Sequence, residues 1–184
     1  RGISKQTLQD LQVTEGKEFM PQTSQQENTI QFNYFMGDQL INIKYRDGRK
    51  NFKLYKGAEK VFYNINSVVG YDWCVVVEGE MDVLALHEAG IKNAISVPNG
   101  ATLNSNNLDY LDNCIDYLDD KTKIVLAVDA DDAGQALKQE FIRRLGAEVC
   151  FLVDFNGQKD ANEYLIENGG EALRSAIHTA TQVP

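Results

Sequence analysis

The sequence predicts an α/β fold: a mainly parallel sheet with helices on both faces, preceded by a small, mainly β, antiparallel attachment. Three observations carry that expectation. From Asp72 onward, short runs of consecutive apolar residues alternate with stretches of helical spacing, the pattern of strands buried on both faces. Before residue 70, apolar and polar residues alternate one by one, as in hairpins with one wet face. The 184 residues, 43% of them hydrophobic, suffice for one substantial domain, or a compact domain with a small attachment. The division is expected between residues 1–70 and 71–184.

In the first part, Ser4 is placed to cap a short helix through "SKQTLQDL", and "FMPQTSQQENT" reads as a polar, turn-rich connector. "IQFNYF" and "LINIKY" form a hairpin around Met36-Gly37-Asp38-Gln39, and "RDGRK" turns the chain into the short strand "NFKLY". In the second part "WCVVV" is a strand, and Glu80–Ala89 a helix closed by Gly90, with Glu80 on its solvent side. "NAISVP" is the next strand. Leu108, Leu111, Ile115 and Leu118 make "NSNNLDYLDNCIDYLDD" an amphipathic helix. "KIVLAVD" leads into the helix "DAGQALKQEFIRRLG", "AEVCFLV" is a fourth strand, and "DANEYLIENGG" and "EALRSAIHTA" are helices.

Charge is distributed unevenly. The net charge is −9, yet Lys44–Lys60 carries seven basic residues against Asp47 and Glu59, a ribbon of +5 on a body of −14. An acidic total therefore does not exclude a polyanionic partner. Cys74, Cys114 and Cys150 are odd in number and form no CxxC pair, which implies reduced thiols in a cytoplasmic protein. His87 and His178 have no Cys or His at ligand spacing, so the chain has no zinc site of its own. No apolar run approaches a membrane span and no signal peptide is visible, so no membrane partner is expected. The first residue is Arg rather than Met, which suggests a piece of a longer polypeptide.

The acids at strand ends pose the chemical question. Glu78 follows "WCVVV", and Asp129, Asp131 and Asp132 follow "KIVLAV". In open α/β sheets ligands bind beyond the carboxyl ends of the strands, where both groups fall. Asp129 and Asp131, two apart in an extended terminus, can present oxygens to one side. If the strands are neighbours, Glu78 joins them. Carboxylates about 5 Å apart repel by about 3 kcal/mol per pair at an effective dielectric of about 20. A hard divalent cation relieves this, and an oxygen-only donor set points to Mg²⁺ or Mn²⁺. Helix capping and the helix dipole also favour acids at these positions, each by about 0.3–2 kcal/mol. Asp132 fits that second account. Spacing alone leaves both open.

"VVVEGEMDVLAL", "SVPNGA" and "IVLAVDADDAGQAL" together resemble the Toprim fold, a Rossmann-like arrangement shared by bacterial-type primases, topoisomerases and certain nucleases. Within that group the chain resembles the primase part of phage- and Twinkle-type primase–helicases. "GISKQTLQDLQV" looks like the opening of their polymerase region, "LINIKYRDGRKNFKLYKGAEKVFYN" like their basic strand segment, and "KDANEYLIENGGEAL" like a closing motif of primases. The resemblance implies that Glu78, Asp129 and Asp131 hold two Mg²⁺ or Mn²⁺ ions, with Asp82 and Asp160 as further acids beside them. Asp160 serves equally well as a helix N-cap. It implies that Lys44, Arg46 and Lys53 meet phosphates of a single-stranded DNA template or of ribonucleoside triphosphates. Tyr45, Phe52 and Tyr55 lie among those cations, placed either to stack bases or to pack as strand residues.

The function so implied is a DNA primase catalytic core, from a bacterial or phage-encoded protein, with a helicase domain in the same parent polypeptide. Two departures bear on it. Primases usually carry an upstream zinc ribbon, and helicases need a GxxxxGK[ST] phosphate loop; this sequence contains neither. A catalytically silent Toprim module that holds DNA for a helicase is the alternative, and a Toprim nuclease a third.

Overall fold

A computed structural model describes residues 1–101, 103 and 108–184 of the chain. It contains two sheets. The first is antiparallel, with β1 (Thr14–Met20), β2 (Gln25–Met36), β3 (Gln39–Asp47) and β4 (Phe52–Leu54) in that spatial order. The second has the order β6-β5-β7-β8-β9, formed by β5 (Trp73–Val77), β6 (Ala94–Ser96), β7 (Lys123–Leu126), β8 (Cys150–Leu152) and β9 (Thr181–Gln182). All its pairings are parallel except that of β8 with β9. The helices are α1 (Lys5–Asp10), α2 (Glu80–Glu88), α3 (Asp109–Asn113), α4 (Ile115–Leu118), α5 (Asp132–Leu145), α6 (Ala161–Asn168) and α7 (Gly170–His178). This is the expected mainly parallel α/β arrangement preceded by an antiparallel sheet.

Three local readings change. "FMPQTSQQENT" is not a connector: β1 runs to Met20 and β2 begins at Gln25, so only residues 21–24 turn. The first residues of both strands are largely exposed, and a strand with little to bury has no reason to alternate apolar residues. The helix expected over "NSNNLDYLDNCIDYLDD" is two short helices, because Cys114 leaves helical geometry at φ −116° and ψ 9°; residues 104–107 lie outside the described residues. The last strand, β9, has no counterpart in the sequence reading; with two residues it offers no periodicity to read. The Met36–Gln39 turn is as expected, with Gly37 supplying the positive φ of 59°.

Val75, Val76 and Val77 of β5 and Ile124 and Val125 of β7 are at most 1% exposed, since helices cover both faces of this sheet. The antiparallel sheet docks onto the same core through Phe32 and Tyr34, whose rings lie 5.9 and 5.1 Å from that of Tyr63. Tyr63 in turn bridges to Ser96 at the end of β6. The attachment is therefore held against the edge from which the strand-end acids emerge.

Candidate metal centre

β5 and β7 are parallel neighbours, with Val76 opposite Leu126. The residues just beyond the two strands must therefore share one rim of the sheet. Asp129 donates its backbone N–H to Glu78 Oε1 at 2.9 Å, which joins the two strand ends directly. α2 starts immediately behind Gly79 and carries Asp82 in its first turn. α6 begins opposite, capped by Asp160, whose Oδ1 accepts the Glu163 N–H at 2.8 Å. The Asn162 N–H of α6 reaches Asp82 Oδ1 at 3.0 Å. These contacts bring oxygens of Asp82, Asp129 and Asp160 within 4.8 Å of one another.

The close approach depends on one glycine. A Cβ on Gly134, in the first turn of α5, would stand 2.2 Å from the Asp129 carbonyl oxygen and 2.5 Å from Glu78 Oε1. No side chain fits there without moving the helix off the strand end.

The electrostatics are those of crowded anions. Burial, then the Asp129 and Asp131 charges, pushes the Glu78 carboxyl up to about 7, against the backbone N–H groups of Asp129 and Ala101. Burial first, and Asp160 next, holds Asp82 well above the usual carboxylate range. Burial also raises Asp129, opposed by the Lys159 ammonium. The Lys159 Nζ lies 3.4 Å from Asp129 Oδ2. Such a group of hard oxygen donors, kept close at a cost, fits a hard divalent cation.

The structure brings Glu78 and Asp129 together, as the sequence suggested. Asp131 is engaged otherwise: it caps α5, its Oδ1 accepting the Gly134 N–H at 2.9 Å. Asp82 and Asp160, expected as accessory acids, stand in the tight group itself. Glu80, expected to face solvent, is instead 3% exposed. The antiparallel sheet covers the start of α2, and the Glu80 carboxylate accepts hydrogen bonds from Tyr34 OH and from Lys44 Nζ, the latter 3.0 Å away at its nearer oxygen.

The basic ribbon faces the acids across a cleft of about 500 Å³ lined by Lys44, Phe52 and Lys53 on one wall and by Glu78, Asp129 and Lys159 on the other. Lys53 is paired with Glu18 at 2.5 Å. Arg46 lies further along the sheet in an adjoining groove with Lys17. Tyr45 is buried beneath Lys53, whereas Phe52 and Tyr55 are exposed. Sequence reasoning missed Lys159, Gly134 and Asn162. Gly134 left a trace as a helix-weakening residue in the first turn after the D-x-D, and Lys159 and Asn162 stand in the quoted stretch "KDANEYLIENGGEAL" without having been given a role.

Acids at the ends of two adjacent parallel strands, completed by the first turns of two helices, define a Toprim-type domain, and residues 75–165 match the family model described as Toprim-like. The chain carries a Toprim-like domain and is similar to the Toprim-domain primases, phage- and Twinkle-type proteins among them. It is 36% identical over its whole length to the Primase homolog protein of Arabidopsis thaliana and 34% identical to the Twinkle homolog protein, chloroplastic/mitochondrial, of the same plant. It spans 58% and 28% of those proteins. The primase fragment of the bacteriophage T7 primase-helicase superposes with a TM-score of 0.79 at 26% identity, over 97% of this chain and 72% of that one. The Aquifex aeolicus primase, comprising zinc-binding and RNA polymerase domains, shares the fold at 15% identity and a TM-score of 0.72, over 98% of this chain and 54% of that one.

Proposed function

We propose that this chain is the catalytic core of a DNA primase, making RNA primers on a single-stranded DNA template by metal-dependent nucleotidyl transfer. Residues 1–70 serve as the template-facing subdomain of the polymerase region and 71–184 as the catalytic Toprim part. The observation that carries the reading is the meeting of Asp82, Asp129 and Asp160 beside Glu78, across a cleft from a cation-bearing sheet. When bound there, Mg²⁺ or Mn²⁺, as a pair, supplies Lewis-acid neutralisation of phosphate oxygens and lowers the pKa of the attacking primer hydroxyl.

The chain's own residues do the rest. Asp129 and Asp82 orient charge at the sheet rim, with Asp160 closing the third side. Glu78 fixes the Asp129 backbone through its N–H and holds a proton near neutral pH, which it must give up before the site carries full charge. Asp131, at the N-cap of α5, adds its negative charge near Glu78. Lys44 and Lys53 on the facing wall are paired with Glu80 and Glu18, so the exposed cations of the ribbon, Arg49, Lys50 and Lys56, draw the polyanionic template and the triphosphate toward acids that would otherwise repel them. A helicase in the same parent polypeptide, and a reducing, cytoplasm-like compartment that keeps the three buried cysteines as thiols, complete the proposal.

In the full-length protein, Glu78→Gln and Asp129→Asn each abolish Mg²⁺- or Mn²⁺-dependent primer synthesis on single-stranded DNA; normal priming by both variants overturns the reading. One observation favours a second account, a silent DNA-holding module. Glu78 and Asp131 each spend an oxygen on a backbone N–H, as structural acids do. Calorimetry separates the two. Mn²⁺ binding lost in Asp129→Asn supports catalysis, and salt-sensitive DNA binding without metal uptake supports the holder.

A further inference from the structure

Four acids crowd the rim, and among the described residues Lys159 is the cation found within ion-pair distance of the clustered three. The other cations of the cleft are committed elsewhere, Lys44 to Glu80 and Lys53 to Glu18. The Lys159 backbone is pinned on both sides. Its carbonyl accepts the Ala130 N–H at 3.3 Å, and its N–H donates to Glu163 in the first turn of α6. Its side chain is different: it is 58% exposed and makes its contact with Asp129 at the long end of the ion-pair range. A fixed backbone and a loosely held ammonium on a flexible four-carbon stem make a swinging charge. From the same base it can stand on Asp129 or turn into the cleft that it lines.

We propose that Lys159 is the resident counter-cation of the acid cluster in the free protein, and that the same ammonium transfers to a phosphate of the nucleoside triphosphate when the nucleotide enters the cleft. On Asp129 it competes with a divalent ion for the same oxygen. On the triphosphate it adds one positive charge on the acid-bearing wall, opposite Lys44 and Lys53. The handover keeps the empty site from carrying its full negative charge and delivers a phosphate ligand at the moment the acids acquire another partner. This rests on the reading of the cluster as a divalent-ion site.

The test is calorimetric. In Lys159→Met, Mn²⁺ without nucleotide binds roughly tenfold tighter than in the wild type, because a competing unit charge is gone from the site. ATP with saturating Mg²⁺ binds the same variant roughly tenfold more weakly. Lys159→Arg, which keeps the charge, stays near the wild type in both. The residue is exposed, so an unchanged thermal melt verifies the fold. Mn²⁺ affinity unchanged in Lys159→Met overturns the counter-cation role, and unchanged ATP affinity overturns the handover; in either case the metal site stands. Absence of Mn²⁺ binding in the wild type overturns both this inference and the primase reading beneath it.

Discussion

Glu78 is the residue on which site chemistry and stability oppose each other. Its folded carboxyl is raised from 4.5 to about 7 by burial and by the acids beside it. Between those pH values the folded chain keeps a proton that the unfolded chain has released, so this group's contribution to stability falls as pH rises through that window. The residue is half-buried, and after allowance for solvent screening the loss by pH 8 is about 1–2 kcal/mol. Glu78→Gln keeps an oxygen for the Asp129 N–H and removes the charge. In chelator, urea unfolding at pH 8 should show this variant more stable than the wild type by about that amount, with the difference vanishing at pH 4. A site that costs stability when empty and ionised is one arranged for a ligand.

Between elements, the junction of α2 with β3 carries the buried pair of Glu80 and Lys44, with Tyr34 of β2 as a third partner. It ties the antiparallel sheet to the helix that presents Asp82. Glu80→Ala leaves an ammonium and a phenol buried without their acceptor and costs about 3–5 kcal/mol in denaturant unfolding. The double variant Lys44→Met, Glu80→Ala loses less than the single one, because no charge is left stranded. A double variant that loses the sum of the Lys44→Met and Glu80→Ala single losses would show that the pair is not coupled.

For the molecule as a whole, the proposed template binding rests on where the +5 ribbon sits on a −14 body and should depend strongly on salt. Arg49 and Lys56 are exposed on that ribbon. Neutralising both should lower the slope of log affinity for single-stranded DNA against log salt by about 1.4, at roughly 0.7 per released counterion. Fluorescence anisotropy over a salt series reads this directly. An unchanged slope would place the DNA elsewhere on the molecule.

The four parallel strands from "WCVVV" to "AEVCFLV" were legible, because a strand buried on both faces must be apolar without interruption, and helices between such strands imply parallel neighbours. The acids at the strand ends were legible for the same reason, since adjacent parallel strands end on one rim. What the order of residues could not convey is how distant first turns meet there. Asp82 and Asp160 enter the tight group through the angles of α2 and α6, Asp131 turns into its own helix cap, and Glu80 is buried by a sheet contributed from residues far earlier in the chain. Local patterns report the face a residue prefers; convergence of side chains from separate elements depends on packing, which no local pattern records.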